Sequence, residues 1–498
     1  MKKVAFLLIT GIILSGCTVT PSPISMEELQ SKSRARLAQV SANQEPINGP
    51  VSLYDAMARA IKYNLDYKVE IYEQALRGSE AKLANMDMLP DLVASAGFSD
   101  RGNYGGSRSS ALLGSNTVGD VSLVPSTSSD KDLVSTDLTL SWDVLDFGLS
   151  YVRAKQKADA ILVANERRRK IANRIVEDVR TAYWRAVSAQ RLVGKLTSLE
   201  SDISQALTAS DESYRKRKTP PLAALTYQRE LLDIQHEIQT MHNELFVAKR
   251  QLAALMNISP STEFTLELPV RTPKTRVMDV DPNILVRIAM VSRPELRELN
   301  YEQRINENEA NSALLKLLPS LKLFGGFNYN SNDYLYNNNW SSWGAQASWN
   351  IFEAFKYPAH KRANELEKEL LNQRSLALTM AVITQVHVSA SRYKIAKRRL
   401  DTMRKYFGVT NNILDQIESG YKARKVSYQN FVREKMNSIV AEAKYDIAQA
   451  NLQNAYANIY ASVGRDTFGN ITANNTSVSE LAKHLQSQWQ RLERDLQQ

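Results

Sequence analysis

The chain of 498 residues contains one cysteine, Cys17, and only five histidines. A single thiol excludes intrachain disulfides and any cysteine-based zinc site. The histidines are scattered, and His236 and His242, six apart, do not share a helix face. GxSxG, HExxH and phosphate-binding-loop motifs are all absent, so the chain reads as a non-enzyme without a cofactor. Long apolar runs are missing as well. The one candidate, Val4–Leu14, is too short to span a bilayer comfortably. With 43% hydrophobic and 23% charged residues, the chain is neither disordered nor an α-helical membrane protein. Proline and glycine are absent from Leu149 to Gln190, which leaves that stretch free to be one uninterrupted helix.

Acidic residues are outnumbered. The formal net charge is +10, nearer +8 once Lys2 and Lys3 are discounted as leader residues. Such a balance fits nucleic acid, an anionic lipid surface, an acidic cargo or a merely solvated surface. The basic run Arg215–Lys218 precedes Pro220-Pro221 at a predicted helical turn, where a solvated tip or a protein contact is the better reading than nucleic acid.

The first residues form a leader. A short positive start and an apolar stretch end in Leu14-Ser15-Gly16-Cys17. This ending resembles the bacterial lipobox, in which the cysteine is acylated and becomes the new N-terminus. Thr18 stands where an inner-membrane retention signal would place Asp, which directs the chain to the outer membrane. Several acyl chains on Cys17 would anchor it stably.

The rest of the chain is a duplication. Leu89-Pro90 and Gly97-Phe98 recur as Leu318-Pro319 and Gly326-Phe327, at an offset of 229. Ser141-Trp142, Tyr214 and Arg217-Lys218 recur as Ser348-Trp349, Tyr421 and Arg424-Lys425, at an offset of 207. The offset changes across the Ser/Gly-rich stretch Gly102–Asp132, so the first copy holds a longer loop. We divide the chain into a signal peptide (1–16), a lipidated linker (17–49), a first repeat (50–270), a second repeat (271–468) and a tail (469–498).

Each repeat opens with a helix. Ser52-Leu-Tyr-Asp55 forms a capping box before a helix over Ala56–Leu89, and Asp281-Pro282 opens the second copy. Alternating segments follow. Leu138, Leu140, Trp142 and Val144 alternate with polar residues, as do Trp343, Ala345, Ala347, Trp349 and Ile351. In Leu321–Tyr329 small or apolar residues again take every second position. Period two gives one apolar and one polar face, as in a transmembrane barrel or a half-buried soluble sheet. Four strands cannot close, and an open edge is not tolerated in lipid. Either the sheet is soluble or several chains pool their strands. Tyr329, Tyr334, Tyr336, Trp340 and Trp343 fit an interfacial aromatic girdle or, in the soluble case, an aromatic core.

Long helices complete each copy. Gly148–Ser213 as one helix would reach about 100 Å. Ile171, Ile175, Val179, Ala182, Ala186, Ala189 and Val193 step by three and four, as do Ile234, Ile238, Met241, Leu245, Ala248, Leu252 and Leu255. Tyr445, Ala448, Leu452, Ala455 and Ile459 form the seam of the second copy. Turns fall at Tyr214–Pro221 and Tyr421–Ser427, and the hairpins continue to Asn257 and Gly464.

Lipobox, duplication, paired strands, the Leu-Pro pairs, the Ser-Trp strand ends and Gly420-Tyr421 together resemble the TolC-type outer-membrane efflux family over residues 50–468. The resemblance implies an α+β membrane protein. Each chain would give four transmembrane β-strands to a twelve-stranded trimeric barrel, above a long α-helical coiled-coil tunnel. It also implies a homotrimer in outer-membrane lipid, extending into the periplasm, with a periplasmic adaptor protein and an inner-membrane transporter as partners. Function would be export, either efflux or type I secretion, with no nucleic acid involved. The family's helical turns dock the adaptor, which points to Arg217, Lys218, Tyr421, Arg424 and Lys425. The chain departs from the family there, because Arg217 and Arg424 stand at the turn glycines. Asn430 and Arg433 stand at the constriction acids. A ring of three Arg433 side chains would favour anions; alternatively Arg433 points outward or pairs with a nearby glutamate such as Glu434. These departures count against a drug-efflux partner and raise the plausibility of a protein- or polymer-secretion one.

In the tail, Asn470–Thr476 reads as loop. Ser477-x-x-Glu480 caps an amphipathic helix with Leu481, Leu485, Trp489, Leu492 and Leu496, placed on the tunnel's exterior at its equator. A structural or adhesive coiled-coil lipoprotein is the competing reading; it accounts for the helices and Cys17 but not for duplicated strands.

Overall fold

The structure, a computed structural model, describes residues 21–40, 42–112, 118–121, 124–259, 261–271, 281–465 and 476–495. Cys17, the leader, the loop positions 470–475 and Leu496 lie outside them. After an exposed helix α1 (Met26–Val40), the first copy runs through α2 (Leu53–Tyr63), α3 (Leu65–Met86), β1 (Asp91–Asp100), β6 (Asp132–Asp143), α4 (Val144–Arg215) and α5 (Pro221–Leu255). The second copy runs through α6 (Pro282–Ser292), α7 (Pro294–Leu315), β7 (Ser320–Asn330), β8 (Asn339–Ser348), α8 (Phe352–Lys422) and α9 (Tyr428–Val463), and the tail adds α10 (Val478–Asp495).

The opening helix over Ala56–Leu89 is two helices. The Ser52–Asp55 capping box forms as expected, but the helix stops at Asn64. Asn64 caps α2 at its end and α3 at its start, its side chain accepting from the Tyr67 amide at 3.2 Å. In the second copy Pro294 makes the same break, because Arg293 before it is held extended. Asp281 caps α6 through the Asn283 amide at 3.0 Å.

The four long strands form one antiparallel sheet in the order β1-β6-β7-β8. Register places Leu92, Ala94 and Phe98 beside Leu140, Leu138 and Val134. Leu138 and Trp142 then face Phe327 and Leu323, and Leu323 faces Ala345. Every one of these positions lies on the same face, which is continuous, apolar and exposed, with Phe98 at 72% and Trp343 at 89%. Asp137, Thr139, Ser141, Asn328, Ser342 and Gln346 line the other face. The last strand ends earlier than its alternation implies: Trp349 and Ile351 lie beyond Ser348, and the Trp349 indole donates to the Leu317 carbonyl at 3.1 Å. Val144 likewise begins α4 rather than ending β6, because Asp143 caps the helix through the Leu145 amide. The Gly102–Asp132 loop is not plain loop either. It carries two short antiparallel ladders, β2 (Gly106–Ser107) with β5 (Ser126–Thr127) and β3 (Ser110–Leu112) with β4 (Val118–Val121).

α4 has 72 residues, about 108 Å of helix. It packs against α3, α5, α7 and α9, and α9 packs against α8, so the long helices run in the order α5-α4-α9-α8. The heptad seam is buried at Ile175, Val179, Ala182, Ala186 and Ala189, but Val193 turns out to solvent at 38%. Below that point Leu192, Leu196, Leu199 and Ile203 carry the core, because three and four residue steps slowly rotate around a straight helix. Ile238, Met241, Ala248 and Leu252 are buried on α5, and the whole Tyr445–Ile459 seam is buried on α9. α10 lays Leu481, Leu485, Trp489 and Leu492 onto the core formed by α2, α4 and α9.

Candidate functional site

The two helical hairpins end in turns of identical backbone. Arg217 and Arg424 adopt left-handed conformations, with φ of 48° and 57°. The amide of each residue donates three positions back, to Tyr214 (3.0 Å) and Tyr421 (2.9 Å). The following amides of Lys218 and Lys425 donate five back, to Ser213 (3.0 Å) and Gly420 (2.8 Å). This is the Schellman closure, which normally uses glycine at the left-handed position because an L side chain is strained there. Arginine therefore occupies the glycine position in both copies. The flanking contacts differ. Ser213 Oγ lies 2.7 Å from Thr219 Oγ1, whereas a Cβ on Gly420 would sit 2.7 Å from Val426 Cγ2. A hydroxyl pair in one turn is replaced by a close backbone approach in the other.

Around the second turn, Tyr421 stacks on Phe431 with centroids 5.0 Å apart and rings 5° from parallel. Ser427 caps α9 through the Asn430 amide at 3.3 Å, which fixes Asn430 in the first turn of that helix. Arg217, Lys218, Tyr421, Arg424, Lys425 and Asn430 are all exposed, so the tips present five of the six as cations or an aromatic ring.

Arg433 lies one turn further up α9, half-buried. Its Nη1 is 3.6 Å from Glu230 of α5, and its Nε is 3.4 Å from Glu434. Burial pushes the neighbouring Tyr227 hydroxyl up, and the Arg433 charge opposes that shift. Within one chain, then, Arg433 joins the two hairpins by ion pairs, and Glu230 is the partner that sequence spacing did not reveal. The two lie 203 residues apart on different helices.

A second charged cluster, unrecognised in the sequence, lies higher up. Asp446, almost fully buried, receives Arg191 at 3.2 Å and Arg271 at 2.6 Å. Glu442 receives Lys195 at 2.6 Å and Arg271 at 2.9 Å. Burial alone would raise the Glu442 carboxyl, but hydrogen bonds from Lys195 and Arg271 outweigh it and hold the group below its ordinary value. Arg271 belongs to the segment joining the repeats. That segment is also tied to α4, where the Gln190 side chain bonds Leu266 in both directions and Arg191 donates to the Pro269 carbonyl at 2.6 Å. The cluster joins two helices and the inter-repeat segment into one unit.

The girdle candidates Tyr329, Tyr334, Tyr336, Trp340 and Trp343 are all exposed, between 43% and 100%, and none sits in a core. No helix among the described residues is long and apolar enough to cross a membrane.

No protein-family model and no curated protein sequence matches the chain. Solved structures do. The chain is similar to the CmeC outer-membrane channel of Campylobacter jejuni, at 13% identity over 95% of this chain and 98% of that one, with a TM-score of 0.64. It is similar to the Neisseria gonorrhoeae MtrE outer-membrane channel in its open state, at 15% identity over 90% and 98%, with a TM-score of 0.61. A third likeness is to the outer-membrane channel OprN, at 16% identity over 83% and 89%, with a TM-score of 0.63.

Proposed function

We propose, from the TolC-type channel fold that this chain has, that it is the outer-membrane channel of a tripartite export system. It would work as a homotrimer, anchored by lipid on Cys17 and fed by a periplasmic adaptor and an inner-membrane transporter. One observation carries the reading most directly. The sheet exposes a continuous apolar face and, among the described residues, leaves the outer edges of β1 and β8 unpaired. In water such a face and such edges invite aggregation; in lipid the face is satisfied, but the edges must close. Two copies would close eight strands, a barrel filled by its own side chains, whereas three close twelve and leave a passage.

The helices support the same assembly. Leu225, Leu232 and Phe246 form an exposed row at heptad spacing on α5, and Leu366, Leu370, Val388, Ile395, Val409 and Ile413 form one on α8. These are the two outer helices of the array, so α8 of one copy meets α5 of the next. The turn residues Arg217, Lys218, Tyr421, Arg424 and Lys425 would then ring the periplasmic tip as the adaptor contact, with Asn430 and Arg433 above them at the constriction.

Planar-bilayer conductance of the detergent-extracted protein tests this, beside an Arg433→Asp variant. The expected result is stable unitary steps, with selectivity moved toward cations in the variant. The shift should be several-fold rather than complete, because Glu230 and Glu434 already place carboxylates beside Arg433. Steps indifferent to the substitution would retain the channel and remove Arg433 from its constriction. No conductance from an intact, SDS-resistant trimer would count against the channel itself.

A further inference from the structure

The duplication allows the contact between copies to be compared with one inside the chain. Three ion pairs join α4 to α9: Arg191 with Asp446 (3.2 Å), Lys195 with Glu442 (2.6 Å) and Asp202 with Lys435 (2.6 Å). Shifting each residue by the repeat offset of 207 gives the pairs that α8 and the neighbouring α5 would bring together. They are Arg398 with Gln239, Thr402 with Gln235, and Val409 with Gln228. Both carboxylates of α9 have become amides on α5.

The cations of α8 have multiplied instead. Lys394, Lys397, Arg398, Arg399, Arg404 and Lys405 fall within little more than three turns, with Asp401 the only acid among them. None of the six forms an ion pair among the described residues, and the Arg404 guanidinium is shielded at Nε and Nη2 with no acceptor. Lys394, Arg398 and Lys405 are four and seven residues apart, so they share one exposed face. Such a cluster repels itself, and a shielded guanidinium without an acceptor is costly.

The α4–α9 contact also shows what such a groove holds. There the inter-repeat segment Leu266–Arg271 runs across the helices and offers Arg271 to two carboxylates. The equivalent positions in the second copy are 473–478, and those of them that are described, Thr476–Val478, are drawn elsewhere. Lys62 donates to the Thr476 carbonyl at 2.7 Å, and the Val478 amide donates to Glu45 at 3.1 Å. Among the described residues, no segment of this chain lies across the cationic face of α8.

We propose that the groove between α8 of one copy and α5 of the next binds an extended acidic polypeptide segment of a partner protein, with Lys394, Arg398 and Lys405 as its main contacts. The arrangement is the charge reversal of the Arg271 segment on Glu442 and Asp446. It rests on the trimeric reading above.

Fluorescent poly-L-glutamate binding to the full-length trimer in detergent tests the groove. Lys394→Gln/Arg398→Gln/Lys405→Gln should weaken binding about tenfold, at roughly half a kilocalorie per exposed charge pair. Lys361→Gln/Arg362→Gln/Lys368→Gln, the same charge change higher on α8, should stay within twofold. Binding should weaken as salt rises. Gln235→Glu/Gln239→Asp restores the missing carboxylates on α5, and should both displace poly-L-glutamate and raise the temperature at which the trimer dissociates in SDS. Equal loss in the two α8 triple variants would overturn the proposal, as would unchanged binding in the Lys394/Arg398/Lys405 variant. Capture of isolated cell-wall sacculi in preference to poly-L-glutamate would also overturn it, by assigning the cations to a glycan. If the wild-type chain forms no trimer and conducts no ions, the channel reading has failed. If trimer and conductance persist while the binding predictions do not, only the groove has failed.

Discussion

α4 and α8 descend from one duplicated element and are nearly equal in length, yet they live in different surroundings. α4 buries residues along its whole course, from Leu149 to Ser210, with helices on several sides. α8 buries only a sparse row, from Leu371 to Thr410, and turns a second apolar row to the outside. The same helix thus serves as an interior post in one copy and as an edge in the other. The position in the array, not the local sequence period, decides which apolar residues hold the chain together and which stay exposed.

The largest effect should come from the charged cluster, which only the interior contact possesses. Asp446→Asn leaves Arg191 and Arg271 facing an amide, and should cost about 3–5 kcal/mol of stability, read as a lower thermal midpoint in detergent. The matched change at the edge, Gln239→Asn, should be close to silent. pH probes the same cluster. Glu442 is held below its ordinary value of 4.5 in the folded chain, so its contribution is complete above that value. It is lost as pH falls through the lower folded value, and Glu442→Gln should flatten that acid limb of the stability curve.

A smaller contrast is expected for the apolar rows. Leu199 is fully buried on α4, and its counterpart Tyr406 is 45% exposed on α8. Leu199→Ala should cost about 2–5 kcal/mol of chain stability. Tyr406→Ala should leave the helical signal and midpoint of the chain near wild type while lowering the SDS resistance of the proposed trimer. Equal effects of the two on the chain itself would erase the distinction between post and edge.

The smallest effect concerns the turns, where the two copies agree. Arg217→Gly and Arg424→Gly each relieve a left-handed side chain and should stabilise the chain by about 1 kcal/mol. If these arginines contact the adaptor, the same variants should export less despite being more stable, and a paired stability and export assay separates the two.

Much of this organisation could be read from the sequence. Ser52 and Asp55, the period-two alternation of Leu138–Trp142 and the repeated Arg-Lys turns each declare themselves within a few residues, because capping and pleating are local. The break at Asn64 was carried by a single residue that can cap in either direction, and the apolar periodicity running through it concealed it. The end of β8 is hidden for a related reason: Trp349 and Ile351 continue the alternation, but Trp349 is turned to the Leu317 carbonyl. What could not be read were the partners chosen by the folded chain. Glu230 for Arg433, and Asp446 for Arg191 and Arg271, lie on helices far apart in sequence. Nothing in the three-and-four spacing of α4 and α8 says which of them becomes an edge.

The inter-repeat segment carries a consequence for the order in which the chain folds. Arg271 finds its carboxylates 171 and 175 residues later, and the Glu45 carboxylate receives the Val478 amide 433 residues later. Loops of that size close slowly, after the local hairpins are made. The first hairpin can therefore form early, while the set of contacts that ties its linker and the N-terminal segment waits for the last helices of the chain. Maturation is paced by its C-terminal end, and truncation there should leave hairpins that are made but never fastened.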